Sequence, residues 1–100
     1  MGARLDRAMD ALGSPTRRAI LHMLRAGPRA VGEIAEPLPI SRPAVSKHLR
    51  VLEAARLVRH HADGNRNVFA LDVRGFDLVR SWIDDFWDEA LPRFAAEAER

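Results

Sequence analysis

Apolar residues at Leu5, Ala8, Met9 and Leu12 recur at i, i+3, i+4 and i+7, the spacing of one buried stripe on an α-helix, and Gly13 ends the run. Ser14-Pro15 then opens a second helix, with serine as the N-cap and proline at the first helical position, where its missing N–H costs nothing. That helix runs to about Arg25 with Ala19, Ile20, Met23 and Leu24 facing inward, and Gly27-Pro28 stops it. A short third helix, from about Val31 to Glu36, carries Val31, Ile34 and Ala35 before Pro37. Leu38-Pro39-Ile40 leaves room only for a turn. Ser41 follows as an N-cap, with Pro43 inside the first turn of a fourth helix.

On a wheel of 100° per residue starting at Arg42, Ala44, Val45, Leu49, Val51 and Leu52 fall within an arc of roughly 180–340°. His48 lies in the middle of that arc and reads as a mostly buried histidine. Arg42, Pro43, Ser46, Lys47, Arg50 and Glu53 occupy the other side. The fourth helix therefore has one core face and one polar, basic face. Leu57 to Ala62 and Asn67 to Leu71 are β-prone runs around Asp63-Gly64-Asn65-Arg66, a strong hairpin signal. The last helix covers about Arg74 to Ala98, some 37 Å at ~1.5 Å per residue, longer than a small domain requires. Phe76, Val79, Trp82, Ile83, Phe86, Trp87, Ala90, Leu91 and Phe94 spread over about half its circumference, where roughly 100° suffices to seat a helix on its own core. The surplus calls for a second copy, and Pro92 should bend the helix near its end. Leu5, Met9 and Leu12 should join Val79, Trp82, Ile83, Phe86, Trp87 and Phe94 in that dimer interface.

Composition adds boundaries. One hundred residues make one domain, here 1–100, with a DNA-binding body at 14–72 and terminal dimerisation helices at 1–13 and 74–98. No apolar run approaches a bilayer span, and the first ten residues lack the apolar stretch of a signal peptide. There are no cysteines, which fits a reducing cytoplasm and excludes a disulfide scaffold or a thiolate metal site. Residues 1–72 hold twelve Arg and Lys against seven Asp and Glu, whereas residues 73–100 hold four against seven. A basic body suits an anionic partner. The acidic run Asp84, Asp85, Asp88 reads as a solvated face. No nucleophile–base spacing, phosphate-binding loop or metal motif indicates an enzyme, a cofactor or a metal site.

A short helix, a tight turn and a helix with a basic outer face make a helix-turn-helix, and the hairpin makes it winged. The expected fold is mainly α, five helices with a two-stranded β-hairpin wing. An α-helix fits the major groove of B-DNA, where base edges present distinct donor and acceptor patterns. Ser41, Arg42, Pro43, Ser46, Lys47 and Arg50 would meet it there. Arg59, His61, Asn65 and Arg66 would lie along the backbone or minor groove from the wing. His60 and His61 are adjacent on a strand and point to opposite faces, a poor geometry for joint metal binding.

These residues resemble the ArsR-type (arsenical-resistance repressor) family of winged helix-turn-helix regulators. The likeness runs through Ala11-Leu12-Gly13-Ser14-Pro15-Thr16-Arg17 with Ile20-Leu21, through Ser41 to Leu52, through Ala55-Arg56-Leu57-Val58 and into the Asp63-Gly64 wing. It implies a homodimeric repressor that places a pair of fourth helices on an inverted repeat of double-stranded DNA, with Thr16, Arg17 and Arg18 on phosphate. The family's metal sensors carry thiolates on the short third helix, or His and carboxylates on the last. Here Ala30 and Gly32 stand at the thiolate positions and the last helix has no histidine, so the resemblance is to a branch without metal sensing. An aromatic crevice between two last helices would suit a small apolar effector. Two other readings stay open: a nucleoid-type architectural binder without sequence preference, and a winged-helix module that binds protein.

Overall fold

Eight elements follow one another through residues 2–98, the part of the chain that the computed structural model describes. They are α1 (Ala3–Leu12), α2 (Pro15–Leu24), β1 (Arg29–Ala30), α3 (Val31–Ala35), α4 (Arg42–Ala54), β2 (Val58–Asp63), β3 (Arg66–Leu71) and α5 (Val73–Ala98). The two serine caps act as expected. Ser14 Oγ accepts from the Arg17 amide at 3.2 Å and Ser41 Oγ from the Ala44 amide at 3.3 Å, each ahead of a proline in the first turn. Helix α3 has five residues, and Glu33 steadies its start by accepting the Ala30 N–H at 3.0 Å.

Helix α4 runs through the middle of the core. Val45, Leu49 and Leu52 are fully buried against Ile20, Ile34, Leu57 and Val58, with Leu21, Leu24 and Phe69 closing the cluster. Its end is a Schellman motif: the Arg56 amide donates to Glu53 O and the Leu57 amide to Leu52 O, both at 3.0 Å. Arg56 takes the left-handed residue of that motif at φ 58°, a place where glycine is the usual occupant. Helix α5 starts hard against this corner. The Gly75 amide donates to Arg56 O at 2.8 Å, and an added Cβ at Gly75 would stand 2.6 Å from the carbonyl oxygens of both Ala55 and Arg56.

The wing hairpin pairs Val58 with Leu71 through to Asp63 with Arg66, leaving Gly64 (φ 64°) and Asn65 as a two-residue turn. The sheet is wider than the expected two strands. Arg29 and Ala30 pair with Phe69 and Val68, so the order is β1-β3-β2, all antiparallel. Two residues are too few to show an alternation, so the pattern could not announce β1. It ties the entrance to α3 to the base of the wing.

Helix α5 has 26 residues with Pro92 inside it, and only its first half packs on the body. The molecule measures 61 × 25 × 22 Å with a Cα radius of gyration of 16.9 Å, against ~13 Å for a compact chain of this length. Past Trp82, α5 leaves Ile83, Phe86, Trp87, Leu91 and Phe94 exposed, Phe94 at 72%. Trp82 stacks on Phe86 at a centroid distance of 6.0 Å, and Phe86 meets Trp87 edge-on at 5.5 Å. Helix α1 packs on α5 of its own chain, with Leu5 beside Leu78 and Trp82. Met9 stays exposed, Val79 is half-buried, and Leu12, expected at the interface, packs instead against its own core, because the tight Gly13-Ser14 corner folds the end of α1 back onto α2. No described helix is long and apolar enough to cross a membrane.

Candidate nucleic-acid interface

The outward face of α4 is what burial of Val45, Leu49 and Leu52 leaves over. Ser41, Arg42, Pro43, Lys47 and Arg50 are exposed and Ser46 is half-buried between them. Two positions depart from the wheel. Val51, at the edge of the apolar arc, is 36% exposed. His48, at its centre, is only half-buried, and Arg17 Nη1 lies 3.4 Å from its Nδ1. An arginine can only donate, so this contact favours the neutral ring with Nδ1 as the acceptor. Burial lowers the His48 pKa from 6.5, and the charges of Arg17 and Lys47 lower it further.

The wing brings Asn65 and Arg66 to the side of α4 where Arg42 emerges. Together with Gly32, Glu33 and Asn67 they line an open polar recess of about 370 Å³. Arg42 lies across Gly32, its guanidinium 3.8 Å from where a Cβ would stand. Arg66 Nη2 donates to Glu33 Oε1 at 2.7 Å, and both side chains are more than half exposed. Glu33 therefore serves two ends: the same oxygen holds the start of α3 and restrains the wing arginine. His61 is exposed on the outer side of β2. His60 faces the other way, on Phe69 at 5.1 Å with Nδ1 2.7 Å from the Glu53 carboxylate, so the adjacent pair does diverge.

The remaining expected contact residues also serve the fold. Arg59 pairs with Ala70 near the base of the hairpin, and its charge helps hold the Asp72 carboxyl below the usual range. The larger cause there is Arg74, whose Nη2 lies 2.6 Å from Asp72 Oδ2 while Nε reaches both oxygens at 3.1 Å. Arg17 and Arg18 both reach the end of α1, Arg17 half-buried and Arg18 exposed. Arg17 Nε donates to Ala11 O at 2.8 Å and Nη2 to Asp10 O at 3.2 Å, while Arg18 Nη1 donates to Leu12 O at 2.7 Å. Helix α1 has no basic residue in its last turn, so these two guanidinium groups supply the positive charge and donors its C-terminal carbonyls need. Thr16 remains in the first turn of α2, half-buried. Ala30 is buried in β1. Among the described residues, no three His, Asp or Glu side chains gather as metal ligands.

Comparison with known proteins agrees with this geometry. A helix-turn-helix domain family matches residues 12–61, from the last residue of α1 into the wing. The HTH-type transcriptional regulator Rv2034 of Mycobacterium tuberculosis is 52% identical over 90 residues, 90% of this chain and 84% of that protein. The transcriptional repressor SdpR of Bacillus subtilis is 32% identical over 82 residues, 82% of this chain and 91% of its own. Among solved structures, an ArsR family transcriptional regulator superposes with a TM-score of 0.81 at 33% identity, covering 85% of this chain and 93% of that one. The homodimeric winged helix-turn-helix DNA-binding domain Mb0332 of Mycobacterium bovis does so with 0.68 at 28% identity, covering 90% and 83%. With half its length matched by the domain family and its winged architecture shared, the chain belongs to the ArsR-type family of winged helix-turn-helix transcriptional regulators.

Proposed function

We propose that this regulator is a homodimeric repressor that binds an inverted-repeat operator through paired α4 helices, and that its DNA affinity does not respond to metal ions. The observation that carries this reading is the bare face of α4: Ser46, Lys47 and Arg50 point away from a core that fully buries Val45, Leu49 and Leu52. Such a face enters a major groove, its N-terminal half reaching base edges while Arg42 and the wing tip follow the backbone. The aromatic surface past Trp82 on α5 is the proposed dimer contact, since exposed apolar patches of this kind mark association sites. The repressor named among the relatives and the homodimeric neighbour support both points. Occupying a promoter-overlapping repeat in the cytoplasm would exclude RNA polymerase. Ala30 buried in the sheet and Gly32 covered by Arg42 leave the third-helix position without ligands, which supports a metal-independent branch.

Selection of fragments from the source genome on the purified protein, followed by sequencing, tests the reading. The expected result is a repeat whose half-sites are about one helical turn apart or a multiple of it. It should be preferred over random DNA by ~10³-fold or more and bound equally with and without zinc. Retention of all fragments alike would instead describe an architectural binder, and retention of none a protein-binding module.

A further inference from the structure

We propose that the recess where α1, α2, β3 and α5 meet is a binding site for an amphipathic monocarboxylate, a straight-chain acid of medium length. Its floor is Leu12, Leu21, Leu71 and Phe76, one residue from each converging element, and its volume is about 280 Å³. Its rim is Arg18, His22 and Arg25. These three follow at i, i+4 and i+7 on α2 and its C-cap, so they stand in one row along a single face. No carboxylate belongs to the lining. Among the described residues, none of the three basic groups has an acidic partner within 4.0 Å.

The two halves of the site select two halves of a ligand. An apolar floor takes a hydrocarbon body, and a rim with positive charge and no negative charge takes an anionic head. Arginine suits a carboxylate because its planar fork can donate two parallel hydrogen bonds. Arg18 gives one donor to Leu12 O, which leaves most of its five N–H groups for the rim. The volume falls just under the ~300 Å³ at which pockets for drug-sized ligands begin, so the occupant is small, a chain of about eight carbons. The walls belong to the terminal helices on one side and to α2 and β3 on the other. An occupant therefore stands at the joint between the association helices and the DNA-binding body.

Sodium octanoate is the probe, titrated into the full chain below its micellar concentration and followed by isotope-edited NMR. Occupancy is read on the free protein, so it can fail while operator binding stands, and the reverse. Saturable shifts are expected at Leu21, Leu71 and Phe76. Shortening the chain should weaken binding about fourfold per methylene, the equivalent of ~0.8 kcal/mol each. Octan-1-ol, with the same body and no charge, should bind at least tenfold more weakly than octanoate. Arg25→Gln, on an exposed residue outside the core, should lower octanoate affinity about tenfold and leave octan-1-ol unaffected. Equal binding of alcohol and acid would overturn the proposal. So would full octanoate affinity in Arg25→Gln, or the absence of shifts at the floor residues at millimolar octanoate.

Discussion

Replacing Gly75 by alanine should destabilise the corner on which α5 is mounted. The added Cβ would stand 2.6 Å from two backbone carbonyl oxygens, where ordinary contact begins near 3.4 Å. Those oxygens belong to the Schellman end of α4 and cannot swing aside as a side chain would, so the start of α5 must retreat by about 0.8 Å. Overpacking of this kind costs ~1–3 kcal/mol. The retreat also stretches the 2.8 Å bond from the Gly75 amide to Arg56 O, worth ~1 kcal/mol. Alanine's better helix propensity returns ~1 kcal/mol. The net loss is about 1–3 kcal/mol, a fall of roughly 5–20 °C in Tm for a domain of this size. Thermal unfolding by circular dichroism would measure it, at one fixed protein concentration because a dimer's Tm depends on concentration. Gly32→Ala is the control: its new Cβ would meet only the Arg42 guanidinium at 3.8 Å, so it should be as stable as the parent or up to ~1 kcal/mol more stable. Arg56→Gly should act in the opposite sense to Gly75→Ala and stabilise by up to ~1 kcal/mol, because it relieves a left-handed non-glycine residue. A Gly75→Ala protein as stable as the parent would refute the packing argument.

Glu33→Gln keeps an acceptor for the Ala30 amide but removes the charge that restrains Arg66, so DNA of any sequence should bind about two- to fivefold tighter, the range of an exposed ion pair. Fluorescence anisotropy at one salt concentration reads this, and weaker binding would contradict it. For His48, the folded pKa lies below the unfolded value of 6.5, so the unfolded chain takes up more protons as pH falls past 6.5. Its stability contribution is complete above that pH and is lost below it; His48→Gln should flatten this part of the slope in urea unfolding, and an unchanged slope would count against it. Sedimentation at micromolar concentration should give about 22 kDa, twice the 11.2 kDa chain, and Phe86→Asp should return it to the monomer. A parent mass of 11.2 kDa would remove the dimer from the account.

Much of the architecture was legible because helix caps and turn residues are local signals. Ser14-Pro15, Ser41 with Pro43, and Asp63-Gly64 each depend on neighbours within a few positions, and each is found where the pattern set it. The face of α4 was legible for the same reason, a periodicity that the core respects except at Val51, on the edge of the arc, and at the half-buried His48. What escaped depends on contacts between elements distant in the chain. The resemblance gives Arg17 and Arg18 a phosphate role and no part in the fold, yet both also donate to the carbonyl end of α1, which has no basic residue in its last turn. Arg59 is expected on the wing, and strand register sets it four pairs back from the Asp63–Arg66 pair, where its charge acts on Asp72. The pairing of Glu33 with Arg66 spans 33 residues and leaves no local mark. The helix pattern carries no signal at Gly75, whose need for glycine comes from the close approach of α4.

The central claim is that α4 reads sequence while the wing grips backbone, and operator preference in three alanine variants tests it most directly. Lys47, Arg50 and Arg66 are each replaced, and affinity for the selected operator and for random DNA is measured over a range of salt. An arginine bidentate to guanine contributes ~1–3 kcal/mol of discrimination. Lys47→Ala or Arg50→Ala should therefore cut the operator-to-random ratio by at least about fivefold. Arg66→Ala should weaken both DNAs alike and lower the salt slope by about two per dimer, one for each wing. The contrary result is loss of operator preference in Arg66→Ala with preference intact in both α4 variants, which would make the wing the reader.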